Sequence, residues 1–177
     1  MTAALNRSIG YSAFKLSPMF QTGKKMEKVN AKFTVPTTGA IGDAYILAGP
    51  LSLDDRISRI YSQAMAALTS ATTWNLGFYY STDQLATVAG LKPVVSGGGN
   101  ELWSGVDLTS AVTTFLDVLT KKNGSLDNTK AIRDLLSLGP DAAPAFGIYL
   151  VLTNVTTANT AGGTVDLDIE IDKATTR

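Results

Sequence analysis

The stretch GTVDLDIEID, residues 163–172, alternates apolar and acidic side chains without interruption. Successive side chains of a β-strand point to opposite faces, so this period predicts a strand with one face in a core and one face outside it. The apolar phase comprises Val165, Leu167, Ile169 and Ile171. The other phase, named here the acidic stripe, comprises Asp166, Asp168, Glu170 and Asp172.

Four further segments are predicted to be strands from their alternation or from their content of β-branched and aromatic residues. They are separated by turn-forming Gly, Pro, Thr and Asn residues. The predicted strands span 28–35, 44–51, 73–81 and 146–155.

The segment RISRIYSQAMAAL, residues 56–68, fits two patterns. A helix face would contain Ile57, Ile60, Ala64 and Leu68, whereas Ile57, Ile60 and Tyr61 also fit a strand with a bulge. We favour a strand, because the following TSATT leads directly into the strand at 73–81, and the two would form a hairpin. A helix at 56–68 would instead indicate a small α+β domain.

Two segments carry helical signals. DLTSAVTTFLDVL, residues 107–119, begins with Asp107 or Thr109 as a cap and has an apolar face that includes Phe115. TKAIRDLLSLG, residues 129–139, predicts a second short helix that ends at Gly139.

These elements predict a mainly β chain, an antiparallel, jelly-roll-like β-sandwich with one or two short helices inserted around 107–138. Residues 28–177 would form the sandwich domain. Residues 1–27 show no steady period, and Pro18 would break a helix there. We interpret them as an extended N-terminal arm, with a disordered tail as the alternative.

The composition excludes several kinds of chemistry. The chain of 177 residues contains no Cys, which excludes disulfides and thiol catalysis, and no His, which removes the commonest general base and transition-metal ligand. No run of about 20 apolar residues predicts a membrane span. We expect no enzyme, no cofactor and no membrane partner, although an enzyme that uses carboxylates or lysine stays open.

Charge is distributed unevenly along the neutral chain. Residues 1–35 carry six basic residues against one acidic residue, a net charge of +5, and the remainder carries −5. The arm's large apolar residues would need a surface on a neighbouring subunit, and its lysines could meet that subunit's acidic stripe. The predicted partner-binding residues of the arm are Phe14, Leu16, Met19, Phe20, Lys24, Lys25 and Lys28.

Other interpretations of the acidic stripe are weaker. Carboxylates two residues apart on a straight strand are about 7 Å from each other, too far to share one small cation without outside ligands. The spacing would suit paired general acid and base groups, but no pocket signal supports that role. A solvated face that also blunts edge pairing is the simplest alternative.

Binding of nucleic acid or of carbohydrate has limited support. Lys24, Lys25, Lys28 and Lys32 could touch phosphates, but the pI of about 6.2 and the lack of a recognition motif argue against a dedicated nucleic-acid partner. Contact with packaged nucleic acid from inside a shell stays open. A carbohydrate platform would need exposed aromatic residues, whereas aromatic residues on strands are more often core. The candidates are Trp74, Tyr79, Tyr80 and Trp103, of which only Tyr79 falls on the predicted outer phase.

The run GAIGDAYILAGPLSLDDRISRIYSQAMAALTSATTWNLGFYYS, residues 39–81, resembles tailed-bacteriophage virion proteins. In those proteins a "GD…I.LG.L" strand precedes an "RI..I" strand, a small-residue turn and an "LG.Y" strand. The C-terminal AGGTVDLDIEI after YLVLTNV is similar to their closing hairpin.

The resemblance implies a jelly-roll-like auxiliary protein of the phage head, such as a decoration, cement or minor capsid protein. It implies binding to the major capsid protein or to copies of itself as a homo-oligomer, in a virion assembled in the host cytoplasm. It transfers no catalytic residue. A tail or fibre-attachment protein and a carbohydrate-binding β-sandwich module are the alternatives.

Overall fold

The computed structural model describes residues 25–35, 40–62, 73–82, 90–107, 116–117, 130–139, 147–156 and 163–174. Within these ranges the chain forms nine β-strands and one short helix. They are β1 (Lys25–Val35), β2 (Ala44–Leu51), β3 (Arg56–Ser62), β4 (Thr73–Ser81), β5 (Leu91–Pro93), β6 (Trp103–Asp107), β7 (Leu116–Asp117), α1 (Ile132–Leu135), β8 (Ile148–Asn154) and β9 (Gly163–Lys173).

The strands form two antiparallel sheets. The first sheet has the order β1-β9-β3-β7, and the second has the order β2-β8-β4-β5, with β6 also paired to β4. The predicted mainly β, antiparallel architecture is confirmed, and the arrangement is consistent with a β-sandwich.

One apolar core contains side chains from both sheets. The inward phase of β9, Val165 to Ile171, is buried as its alternation predicts, and so are the alternate residues of β1. Phe33 of the first sheet stacks on Tyr45 of the second, with ring centroids 4.6 Å apart, and Tyr45 in turn meets Trp74 at 6.0 Å. Burial of these rings contributes to the hydrophobic free energy that stabilises the fold.

The core also perturbs one ionisable group. Burial raises the pKa of Tyr45 from 10.0 to about 12, and the negative charge of Asp43 adds a smaller contribution. The phenol therefore stays neutral well above the pH at which an exposed tyrosine ionises.

The predicted strands at 44–51 and 73–81 are confirmed, and so is the strand at 56–62 in place of a helix. The predicted hairpin between residues 56–68 and 73–81 is wrong, because β3 lies in the first sheet and β4 in the second. The closing hairpin implied by the resemblance is wrong for the same reason, since β8 and β9 lie in different sheets. Both strands of each pair bury their apolar phase in the same core from opposite sides.

The helical prediction at 129–139 is confirmed by α1. The prediction of one helix over 107–119 is wrong where the chain is described, because Asp107 ends β6 and Leu116–Asp117 form β7. The segment is rich in Thr and Val, which favour strands, and pairing of β7 with β3 outweighs the helical spacing. Residues 108–115 and 118–119 lie outside the described residues.

The first strand begins at Lys25, three residues before the predicted strand at 28–35. Residues 1–24, with the predicted docking residues Phe14, Leu16, Met19, Phe20 and Lys24, lie outside the described residues. Within the described ranges, no helix has the length and apolar character needed to cross a membrane.

Candidate interaction surface

The acidic stripe lies on the outer face of the first sheet, on a strand with neighbours on both sides. In the register of the sheet, Asp166 faces Lys32 of β1 and Glu170 faces Lys28. On the other side, Arg59 of β3 faces Glu170. A column of carboxylates is therefore flanked by basic residues from two strands.

The first two residues of the acidic stripe, Asp166 and Asp168, form a hydrogen-bonded and ion-paired network with β1. The Asn30 amide donates hydrogen bonds of 2.9 Å to both Asp166 Oδ1 and Asp168 Oδ1. Lys28 Nζ lies 3.3 Å from Asp168 Oδ2, and Lys32 Nζ lies 3.2 Å from Asp166 Oδ2. Each carboxylate thus receives one bond from the shared amide and one from an ammonium group.

Burial distinguishes the partners in this network. Asp168 and Asp166 are only 5% and 9% exposed, whereas the side chains of Lys28 and Lys32 are 47% and 64% exposed. The amide bonds of Asn30 are therefore the better protected ones, because exposed ion pairs are screened by solvent. A plain solvated face does not describe this half of the stripe.

The last two residues of the acidic stripe are more exposed to solvent than the first two. Glu170 and Asp172 are half-buried, and Arg56 of β3 faces Asp172 in the register. Arg59 donates a 2.8 Å hydrogen bond to the Tyr61 hydroxyl and lies 5.9 Å from the centre of its ring. This half is a mixed-charge surface.

Of the predicted arm residues, the structure places Lys25 and Lys28 on β1, beside the stripe of the same chain. Lys28 therefore meets an acidic residue of its own chain. Docking of the arm on a neighbouring subunit stays a prediction, because the other five arm residues lie outside the described ranges.

A second cluster, which the sequence does not reveal, centres on the buried Asp55 in the β2–β3 turn. Its carboxylate accepts hydrogen bonds from the backbone N–H groups of Ser52 and Ala174, both at 2.9 Å. Lys173 Nζ lies 3.2 Å from Asp55 Oδ2 and 3.4 Å from Glu27 Oε2. The cluster ties the turn to the ends of β1 and β9.

The same turn anchors α1. The Ile132 and Arg133 N–H groups donate to the backbone oxygens of Asp55 and Leu53 at 2.9 and 2.8 Å. The Arg133 side chain lies 3.2 Å from Asp54. Because the helix is only four residues long, these bonds rather than its own length hold it in place.

A third arrangement completes the edge of β4. Val94 and Leu102 donate backbone hydrogen bonds to β4. The loop between these two residues does not pair with β4. The Glu101 carboxylate fills the gap by accepting the Phe78 N–H at 3.0 Å and the Gly99 N–H at 2.9 Å. A side chain at Gly77 would collide with Glu101 and with the loop backbone.

The aromatic candidates are divided between core and surface. Trp74 and Trp103 are fully buried, as a core role requires. Tyr79 is half-buried, bonds Thr153 through its hydroxyl at 3.2 Å, and faces Tyr149 across the strand pair. Trp74 and Trp103 therefore cannot belong to an exposed carbohydrate platform.

No three His, Cys, Asp or Glu side chains in the described part of the chain are placed to hold a metal ion. The carboxylates of Asp166, Asp168 and Asp55 are instead engaged by lysine, asparagine and backbone donors.

No family model matches the chain, and no curated protein matches it. A chain of the solved structure titled "Cyanophage Pam1 capsid asymmetric unit" is similar, with a TM-score of 0.45 and 12% sequence identity. The alignment covers 96% of this chain and 98% of that chain. At this identity and TM-score the likeness is distant and carries no functional assignment.

Proposed function

We propose that the chain is a non-enzymatic structural protein of a bacteriophage virion, which binds neighbouring head subunits in a decoration, cement or minor capsid role. The order of the strands supports the proposal through the fold, and the resemblance of residues 39–81 to phage virion proteins supports the role. β1, β3, β7 and β9 belong to one sheet, and β2, β4, β5, β6 and β8 to the other.

This order fits a jelly roll, in which two Greek keys wind a chain back and forth between two sheets. Viral capsid domains use that fold, and so do lectins and cupins, so the fold alone does not decide between them. The resemblance of residues 39–81 to phage virion proteins favours the first of the three.

The chemistry of the surface supports a binding role over a catalytic one. The buried carboxylates of the first sheet are engaged by Asn30, Lys28 and Lys32, and the Asp55 carboxylate is engaged by Lys173 and backbone N–H groups. Charged residues make up only 17% of the chain. The central parts of protein interfaces are depleted in charge, which suits a protein surrounded by neighbours.

In the proposed mechanism, residues 1–24 precede β1 and act as the docking arm. Phe14, Leu16, Met19 and Phe20 would bury apolar surface on the major capsid protein or on another copy of the chain, in a virion assembled in the host cytoplasm. Ordering such a segment costs conformational entropy, so the arm would become ordered on assembly.

Deletion of residues 1–24 tests this mechanism, because it removes the arm and leaves β1 whole. We expect a folded protein with an unchanged circular dichroism spectrum that no longer occupies particles. A matched variant that replaces only Lys24 by Ala should retain most of the occupancy. Full occupancy after the deletion contradicts the arm, and absence of the intact chain from purified particles contradicts the virion role.

A further inference from the structure

The four sheet edges differ in how well they are protected against pairing with another chain. Proteins protect edges with short strands, prolines and bulges. Within the described residues, β7 has only two residues, and β5 has three and ends at Pro93. β2 contains Pro50 and two register shifts against β8, and β6, which lies at the same edge as β5, has five residues and a register shift against β4.

The remaining edge, β1, has none of these features. It spans eleven residues, contains no Gly or Pro, and pairs with β9 from Lys25↔Lys173 to Val35↔Gly163 without a register shift. Among the strands that the structure describes, β9 is its only partner. A long, regular edge leaves a row of backbone N–H and C=O groups available for another strand.

Edge lysines normally discourage such pairing, and β1 carries them on its outer phase. Lys28 and Lys32, however, bind Asp168 and Asp166 of β9. These ion pairs balance part of the lysine charge within the chain, so the edge is less protected than its sequence indicates. The two lysine side chains are still 47% and 64% exposed, so they can act on residues of a facing strand.

We propose that the β1 edge pairs antiparallel with β1 of a second copy of this chain, around a two-fold axis at Ala31. The pairing rests on the proposed function, which brings copies of the chain together. It would join two four-stranded sheets into one continuous sheet. A two-fold contact uses the same edge of both copies and closes on itself.

The charges on the outer face argue against the neighbouring register, with its centre at Asn30. A centre at Asn30 would set Lys28 directly opposite Lys32 of the other copy, and like charges in that position are destabilising. A centre at Ala31 instead sets Lys32 opposite Asn30 and Lys28 opposite Thr34. No like-charged pair is then directly opposed.

The inward phase favours the same centre. A two-fold at Val29 would set Lys25 opposite Phe33 and Glu27 opposite Ala31. With the centre at Ala31, Phe33 faces Val29 of the other copy, Ala31 faces its own equivalent, and Glu27 faces Val35 only at the ends of the paired segment. Apolar residues then face apolar residues at the middle of the paired strands.

Thr34 provides the test, because it is exposed on β1 and would face Lys28 of the other copy. The full chain should show a concentration-dependent monomer–dimer equilibrium in sedimentation velocity. Thr34→Glu should lower the dimer Kd about tenfold and Thr34→Lys should raise it about tenfold, since each acts at two symmetric positions. The same replacements at Thr164, which lies one strand away from the edge on β9, should change Kd much less.

A wild-type chain that stays monomeric at every concentration overturns the pairing, and so do Thr34 variants that shift Kd in the same direction. Measuring whether the chain occupies purified particles distinguishes a failure of the β1 pairing from a failure of the proposed function. A monomeric chain that still occupies particles overturns only the β1 pairing, whereas a chain that dimerises as expected but is absent from particles supports the pairing and contradicts the virion role.

Discussion

Lys173 Nζ and Asp55 Oδ2 lie 3.2 Å apart, and this contact joins the end of the last strand to the turn between the second and third. Asp55 is 2% exposed, and its carboxylate also accepts the Ser52 and Ala174 N–H groups. One side chain therefore holds together segments that are 118 positions apart in sequence.

Replacement of Asp55 by Ala should lower the free energy of unfolding by about 3 kcal/mol, because it leaves an ammonium and two backbone donors without their buried acceptor. Urea denaturation measures the loss. The neighbouring Asp54 is the matched control, since its side chain is 62% exposed and forms an ion pair with the partly exposed Arg133. Asp54→Ala should cost about 0.5 kcal/mol or less, and equal losses for the two variants would contradict the central role of Asp55.

Asn30→Ala should cost about 2 kcal/mol, because two buried carboxylates each lose a hydrogen bond from the same amide. Lys32→Ala, which removes only an exposed ion pair with Asp166, should cost less than about 1 kcal/mol and lose even that effect at high salt. Chemical denaturation at low and high salt compares the two variants. A larger loss for Lys32→Ala would show that the ammonium, and not the amide, holds the stripe.

The alternation of residues 163–172 was sufficient to predict which side chains enter the core. It could not predict that β9 is flanked on both sides, because the period of a strand reports its two faces and not its neighbours. The burial of Asp166 and Asp168 follows from that central position. The sequence does contain a signal for the pairing of β1 with β9, since Lys28, Asn30 and Lys32 repeat at the same two-residue spacing as the acidic residues.

The assignment of strands to sheets was harder to predict for a related reason. Residues 56–62 and 73–81 are neighbours in sequence and both bury apolar residues, which fits a hairpin as well as a crossing between sheets. Asp55 and Glu101 had no periodic signal at all. Their partners, Lys173 and Phe78, are brought to them only by the folded topology.

Gly77→Ala should destabilise the protein by about 2 kcal/mol, because the added methyl group would push against Glu101 and the backbone of Gly99 and Asn100. Protection of the Phe78 amide from hydrogen exchange should fall as well, since its acceptor is the displaced Glu101 carboxylate. Gly139→Ala is the control, because no atom of the described residues lies within 4 Å of its added methyl group, and it should change stability by about 0.5 kcal/mol or less. Unchanged protection of the Phe78 amide in the Gly77 variant would contradict the role of Glu101 as its hydrogen-bond acceptor.

Tyr45 should make stability fall at high pH. Its folded-state pKa of about 12 exceeds the unfolded value of 10.0, so the folded state retains a proton that the unfolded state loses between these values. The contribution is fully present below pH 10.0 and decreases by about 1.4 kcal/mol per pH unit as the pH rises toward 12.

Tyr45→Phe removes the ionisable group but keeps the ring stacked on Phe33. The unfolding free energies of the wild type and the variant should therefore differ by a constant at neutral pH, and the wild type should lose stability relative to the variant above about pH 10. Parallel curves across that range would mean that the phenol ionises equally readily in both states.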